Sequence, residues 1–192
     1  MQNVKAVILA GGKSSRMGHN KALIPLNGKP IAQYITDTLQ QIFPQVYISG
    51  EAFTAPAIVR NIPDSDPDKG PMGGICASLT YLKEDSFFAP CDMPFLSKGI
   101  VKEVLAKSVK GTLSVVRCAG KVYPTVGVYP YVVLPALQQA LAANKLKMVA
   151  FLSENQVHYI NLSEHYAPFL QNINTPEALT QAQQFIEKEL NH

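Results

Sequence analysis

The chain has no tryptophan and few charged side chains: Asp, Glu, Lys and Arg together make up 16% of its 192 residues. Apolar residues make up 47%, which is enough for a hydrophobic core and excludes a disordered or collagen-like composition. The formal net charge is only +3, with the basic residues scattered, so no basic stripe of the kind that binds nucleic acid is present. We expect one globular domain over residues 1–192.

Long apolar runs are also missing. No stretch of about 18 apolar residues could span a membrane, and the first ten residues lack the apolar length of a signal sequence. We therefore expect a soluble, cytoplasmic protein that binds neither membranes nor nucleic acid.

Cysteine and histidine are too few and too dispersed for a disulfide framework or a structural zinc site. The three cysteines (Cys76, Cys91 and Cys118) are an odd number without paired spacing, and the four histidines do not show the spacing of a metal-binding helix. We expect the cysteines to be buried thiols.

Apolar periodicity predicts strands that alternate with helices. The run at residues 4–10 is short, rich in β-branched residues and followed by Gly11-Gly12, which is typical of a buried strand entering a loop. Asn27-Gly28 predicts a tight turn. The predicted strands are 4–10, 46–49, 57–59, 86–89, 112–117 and 122–129, and the predicted helices are 31–42, 75–82, 97–107, 134–143, 147–152 and the tail from Thr175.

This alternation predicts a three-layer α/β sandwich with a mostly parallel, Rossmann-like central sheet and a hairpin-like departure at residues 112–129. Ligands of such sheets lie beyond the carboxyl ends of the strands. The loops after Ala10, Val59 and Ala89 are therefore predicted to meet at one edge. Residues 64–74, with three Asp, three Gly and two Pro, are predicted to be an exposed loop.

The first of these loops, LAGGKSSRMGHNK at residues 9–21, has the composition of a phosphate-binding segment. Its glycines let the backbone approach an anion closely, and Lys13, Arg16 and Lys21 supply three positive charges that suit a triphosphate. It is neither a Walker A loop, whose first glycine would fall at Val7, nor a dinucleotide fingerprint. A basic surface turn is the competing interpretation.

Five segments together resemble the molybdenum cofactor guanylyltransferases (MobA-type proteins) in that family's order: residues 9–21, 70–75 (GPMGGI), 90–94 (PCDMP), 124–126 (PTV) and 172–176 (NINTP). The resemblance covers essentially the whole chain and implies a fold of the nucleotide-diphospho-sugar transferase type. It also implies a reaction in which the terminal phosphate of molybdenum-bound molybdopterin attacks the α-phosphorus of GTP and pyrophosphate leaves.

The resemblance implies a set of site residues. The implied catalytic residues are Arg16, Lys21 and Asp92. Asp92 follows a predicted strand and lies between two prolines, and it is the implied Mg²⁺ ligand. A turn-forming Asp is the alternative for that position. The residues implied to bind nucleotide or cofactor are Leu9, Ala10, Gly11, Gly12, Lys13, Lys21, Ser49, Asp64, Gly74, Asp92, Asn172 and Asn174.

Two positions depart from the family pattern: Ser49 stands where relatives often have Asn, and Asn20 stands where they usually have Asp.

Thr175 is assigned to helix capping, whereas the resemblance implies that Asn172 and Asn174 lie near the acceptor pterin. Two further candidates for the acceptor phosphate, Lys145 and Lys147, have a solvated surface role as their alternative.

Three other functions stay open at this point. They are a cytidylyltransferase acting on the same cofactor, a nucleotidyltransferase with another small acceptor, and a GTP-binding module without catalysis. Ala10-Gly11-Gly12 is more similar to the guanine-specific relatives, and sugar nucleotidyltransferases usually carry an added domain. The implied partners are GTP, molybdenum-molybdopterin and proteins that insert molybdenum or carry the cofactor.

Overall fold

A computed structural model describes residues 4–10, 21–50, 59–63 and 67–190. The strands are β1 (Lys5–Ala10), β2 (Pro25–Leu26), β3 (Lys29–Pro30), β4 (Val46–Gly50), β5 (Val59–Ile62), β6 (Ser86–Pro90), β7 (Leu113–Cys118), β8 (Lys121–Tyr129) and β9 (Val157–Leu162). The α-helices are α1 (Ile31–Gln40), α2 (Gly70–Leu82), α3 (Lys98–Lys107), α4 (Leu134–Ala142), α5 (Met148–Glu154) and α6 (Pro176–Leu190). None of the helices in these ranges has the length and apolar character needed to cross a membrane.

Seven of the strands form one twisted sheet in the order β5-β4-β1-β6-β8-β7-β9. Strand β1 pairs in parallel with β4 and β6, and β5 extends the parallel part beyond β4. Strand β8 runs antiparallel to β6 and β7, and β9 is parallel to β7. The predicted mostly parallel sheet with a hairpin departure is confirmed.

Both faces of the sheet are covered, which gives the molecule three layers. Alternate residues of β1 enter different cores: Ala6 and Ile8 pack with side chains of α1 and α3, whereas Val7 and Leu9 pack with α2, α4 and α5. All four side chains are at most 6% exposed. A parallel strand buried on both faces has a continuous apolar run as its sequence, which is why the pattern at residues 4–10 was informative.

Local turn and capping signals were also predictive. Asn27 and Gly28 have positive φ angles of 49° and 77° and connect the antiparallel β2–β3 hairpin. The Ser97 side chain accepts a hydrogen bond from the Ile100 amide at 3.3 Å, and Thr175 accepts one from Ala178 at 3.2 Å. These contacts are N-caps of α3 and α6.

The prediction of an exposed loop over residues 64–74 was wrong in its second half. A 3₁₀ turn spans Pro67–Lys69, α2 begins at Gly70, and Met72, Gly73 and Gly74 are buried. Glycine and proline indicated a loop, but glycine is also the residue that lets a helix approach a strand closely.

Three further features differ from prediction: one strand boundary, one strand that was not predicted and the buried face of one helix. Strand β5 starts at Val59 instead of ending there, so the loop at the sheet edge follows Ile62. Strand β9 was not predicted, because its residues Val157–Leu162 mix apolar and polar side chains. On α1, helical spacing places Thr38 on the predicted buried face, but the structure buries Ala32 and Thr36 and leaves Thr38 half-buried.

The three cysteines are free, but only Cys76 and Cys118 are buried, whereas Cys91 is half-buried. Burial raises the pKa of the Cys76 thiol, an effect that a hydrogen bond with Thr80 partly offsets. Burial also raises the pKa of Cys118. Both thiols therefore behave as small apolar core groups at neutral pH.

Strand β8 carries a bulge beside the end of β6. Val115 pairs with Gly127, yet the next residue, Val116, pairs with Tyr123, so residues 124–126 are extra on β8. The buried Tyr129 hydroxyl donates to the Pro124 carbonyl at 2.6 Å and holds this bulge. The 124–126 segment of the family resemblance is therefore an irregularity of the sheet next to the loop that follows β6.

Candidate active site

The ends of β1, β4 and β6 lie side by side at the carboxyl edge of the parallel strands. Ala10 is opposite Gly50, and Leu9 is opposite Pro90. The Leu9 carbonyl also accepts a hydrogen bond from the Cys91 amide at 3.0 Å. The phosphate-binding candidate loop and the Asp92 loop therefore leave the sheet at the same point, as the sequence predicted.

Helix α2 closes one side of this edge through Gly74. The Ser49 hydroxyl, which is 1% exposed, donates to the Gly74 carbonyl at 3.2 Å. A Cβ atom added at Gly74 would lie 3.0 Å from Ser49 Oγ and 3.2 Å from Leu9 Cδ2. The structure thus brings three predicted nucleotide-binding residues into mutual contact, with the side chain of Ser49 directed to the helix.

Asp92, at the end of β6, is held by a segment 80 residues away in sequence. Its Oδ1 accepts a hydrogen bond from Asn172 Nδ2 at 2.9 Å, and its backbone carbonyl accepts one from the Ile173 amide at 2.9 Å. Ile173 is 2% exposed and packs in a cluster with Leu26 and Ala182. The predicted metal-binding and acceptor-binding segments are therefore in direct contact.

Three aromatic side chains pack together next to the Asp92 loop and the segment that holds it. The Phe185 ring of α6 lies 4.7 Å from the Phe95 ring and 5.6 Å from the Phe169 ring, measured between centroids. Phe95 follows the Asp92 loop, and Phe169 precedes the asparagine segment. Helical spacing in the tail from Thr175 predicts that Phe185 faces the core, but its two aromatic partners were not predicted.

The remaining predicted residues are only partly placed. The backbone of Lys21 begins the 3₁₀ turn Lys21–Leu23, and the next side chain, Ala22, is buried in the same core cluster as Met93. Asn174 is half-buried. Gly11, Gly12, Lys13, Arg16, Asn20 and Asp64 lie outside the described residues.

The two lysines predicted as candidates for the acceptor phosphate lie on the exposed surface. Lys145 Nζ is 3.2 Å from Glu154 Oε2, and both side chains are more than half exposed. Lys147 is exposed as well. The ion pair with Glu154 favours the solvated surface role for Lys145.

The donor chemistry at Asp92 suits Mg²⁺ shared with a ligand. Within the described ranges, no three His, Cys, Asp or Glu side chains are grouped so as to hold a metal ion. Mg²⁺ prefers oxygen donors and is usually bound by one or two carboxylates together with substrate phosphates. Asp92, a carboxylate at the sheet edge, fits that pattern.

Residues 6–158 match the family model described as the MobA-like NTP transferase domain, which covers most of the chain. The chain belongs to the MobA-like NTP transferase family. This confirms the resemblance seen in the sequence, and it makes the chain a nucleotidyltransferase by family.

Comparison with known proteins extends over nearly the full length of this MobA-like transferase. It is 36% identical to the molybdenum cofactor guanylyltransferase of Vibrio atlanticus, covering 91% of this chain and 93% of that protein. It is 32% identical to the probable molybdenum cofactor guanylyltransferase of Flavobacterium johnsoniae, covering 93% and 96%.

Among solved structures, the molybdopterin-guanine dinucleotide biosynthesis protein A of Archaeoglobus fulgidus superposes with a TM-score of 0.78. The match covers 96% of this chain and 100% of that one at 22% identity. It confirms the predicted fold.

Replacing Gly74 by Ala is expected to destabilise the protein, although Ala is the better helix former by about 1 kcal/mol. The added methyl group would be pressed against Ser49 and Leu9, and overpacking of this kind costs about 1–3 kcal/mol. Urea unfolding measures the change, and a double variant with Ser49→Ala should recover part of the loss.

Gly99→Ala is the matched control, because Gly99 also lies in a helix but the nearest atom to an added Cβ is 3.7 Å away. It should leave stability unchanged or raise it by up to about 1 kcal/mol. If Gly74→Ala stabilised the protein as much as Gly99→Ala, the close approach of α2 to β1 and β4 would be wrong.

Proposed function

We propose that this MobA-like transferase moves GMP from GTP to the terminal phosphate of molybdenum-molybdopterin, giving molybdopterin guanine dinucleotide and pyrophosphate. The observation that carries the proposal is identity of 32–36% to guanylyltransferases over more than nine-tenths of the chain. The position of Asp92 at the carboxyl edge, beside the start of the candidate phosphate loop, supports it.

In this proposal Asp92 is the residue that would hold Mg²⁺ when the nucleotide is bound. The ion would supply charge neutralisation at the phosphates during an in-line displacement. Lys13, Arg16 and Lys21 would stabilise the negative charge on the α-phosphate and on the departing pyrophosphate. Removal of one such group typically lowers the rate by about 10².

The nucleotide would occupy the edge formed by β1, β4 and α2. Backbone amides after Leu9 would approach the phosphates, and the packed contact of Ser49 with Gly74 would fix the wall formed by α2. Asp64 is proposed to accept hydrogen bonds from guanine or from ribose hydroxyls. The predicted nucleotide-binding residues are Leu9, Ala10, Gly11, Gly12, Lys13, Lys21, Ser49, Asp64 and Gly74.

The acceptor would approach from the other side of Asp92, where the bulge of β8 and the segment before α6 lie. Asn172 and Asn174 are the predicted acceptor contacts from that segment. We also propose that molybdenum insertion or cofactor-chaperone proteins deliver this labile acceptor in the cytoplasm. A tagged chain should then retain such proteins in a pull-down from cell extract, and repeated absence of them would contradict direct delivery.

Pyrophosphate release tests the reaction and the base together. With purified protein, Mg²⁺ and molybdenum-loaded molybdopterin, we expect release from GTP and none above background from CTP. Release from CTP alone would assign the chain to cytidylyl transfer. No release from either nucleotide would contradict the proposed function and leave another acceptor or a binding module.

Asp92→Ala should reduce the rate of GTP-dependent pyrophosphate release by about 10² or more, because the metal ion that accompanies the triphosphate would lose its carboxylate ligand. Glu103→Ala is the control: this half-buried carboxylate pairs with Lys107 one turn further along α3, and its loss should change the rate by less than about twofold. Equal rates for Asp92→Ala and the parent would make the metal assignment wrong.

A further inference from the structure

We infer that Asn172 is a positioning residue that fixes the carboxylate of Asp92, and that it acts through Asp92 and not by binding the acceptor. This inference rests on the proposed role of Asp92 in holding Mg²⁺. It reassigns Asn172, which the family resemblance placed beside the acceptor pterin, and leaves that role to Asn174.

The hydrogen-bond geometry carries the inference. Asn172 Nδ2 donates to Asp92 Oδ1 at 2.9 Å, and the amide of the next residue, Ile173, donates to the Asp92 carbonyl at 2.9 Å. Two consecutive residues thus hold the side chain and the backbone of one residue. Both Asn172 and Asp92 are half-buried, so the side-chain bond is partly shielded from competing water.

The segment that carries Asn172 is anchored on both sides. Ile173 is buried against Leu26 and Ile31, and Thr175 caps α6 two residues later. Leu170, just before the segment, is fully buried in the main core. Because its backbone is fixed in this way, the amide of Asn172 is held in place before any ligand binds.

The chemistry of an amide suits this role. Asn172 donates a hydrogen bond to the carboxylate but carries no charge, so it orients Asp92 without neutralising the negative charge that a cation needs. A lysine or arginine at this position would compete with the metal. Hydrogen bonds that orient a metal-binding carboxylate typically contribute about 10–100-fold to metal affinity.

The test measures GTP binding calorimetrically, with Mg²⁺ and with EDTA, for the parent and for variants. The ratio of the two Kd values is the gain in affinity due to metal. Asn172→Ala should reduce that gain about 10-fold or more and leave the Kd in EDTA within about twofold of the parent. Asn172→Leu, which keeps the side-chain volume, should behave in the same way and serves if the Ala variant folds poorly.

A double-mutant cycle separates action through Asp92 from an independent role. Asp92→Ala alone should remove most of the metal-dependent gain, and adding Asn172→Ala to it should change the gain by less than about twofold. Gln171→Ala is the matched control, because Gln171 is exposed and precedes the segment. It should keep the full gain.

The outcomes distinguish the two proposals. If Asp92→Ala removed the gain but Asn172→Ala and Asn172→Leu kept it, the inference would be wrong and the metal assignment would stand. The same conclusion would follow if Asn172→Ala were equally harmful with and without Asp92. If the parent showed no metal-dependent gain, or if Asp92→Ala kept it, the metal assignment would fail and the inference with it.

Discussion

The parallel pairing of β1 with both β4 and β6 is the constraint on which the rest of the structure depends. Because β1 is hydrogen-bonded along both edges and buried on both faces, its carboxyl end is held firmly in place. The bond from the Cys91 amide to the Leu9 carbonyl continues this pairing beyond the sheet. The loops that follow β1 and β6 consequently start next to each other, joined by this hydrogen bond. In this way the rigid sheet positions the loops that carry the candidate site residues.

A second, non-local constraint joins the end of the chain to this edge. The hydrogen bonds of Asn172 and Ile173 to Asp92, together with the packing of Phe185 against Phe95 and Phe169, connect α6 to the loop after β6. Helix α6 therefore does more than cover a hydrophobic face. Its packing holds the segment whose Asn172 and Ile173 are hydrogen-bonded to Asp92, so the stability of α6 and the position of Asp92 depend on the same contacts.

Much of the fold followed from local signals in the sequence. The apolar run of β1, the Asn27-Gly28 turn and the cap at Thr175 each have a short-range physical cause, and each prediction was confirmed. The start of α2 was missed, because its burial against Ser49 is decided by tertiary packing that glycine content alone does not reveal. Likewise, no periodicity predicts that Asn172 meets Asp92, since 80 residues separate them.

We propose that Asp92 holds the metal that accompanies the nucleotide at the carboxyl edge of β1 and β6. Crystals of the protein grown with GTP and Mn²⁺, with data collected at the manganese absorption edge, test it most directly. We expect an anomalous peak within bonding distance of an Asp92 carboxylate oxygen and of phosphate oxygens, with Asn172 still donating to the other carboxylate oxygen. A metal peak bonded to the triphosphate but away from Asp92 would contradict it.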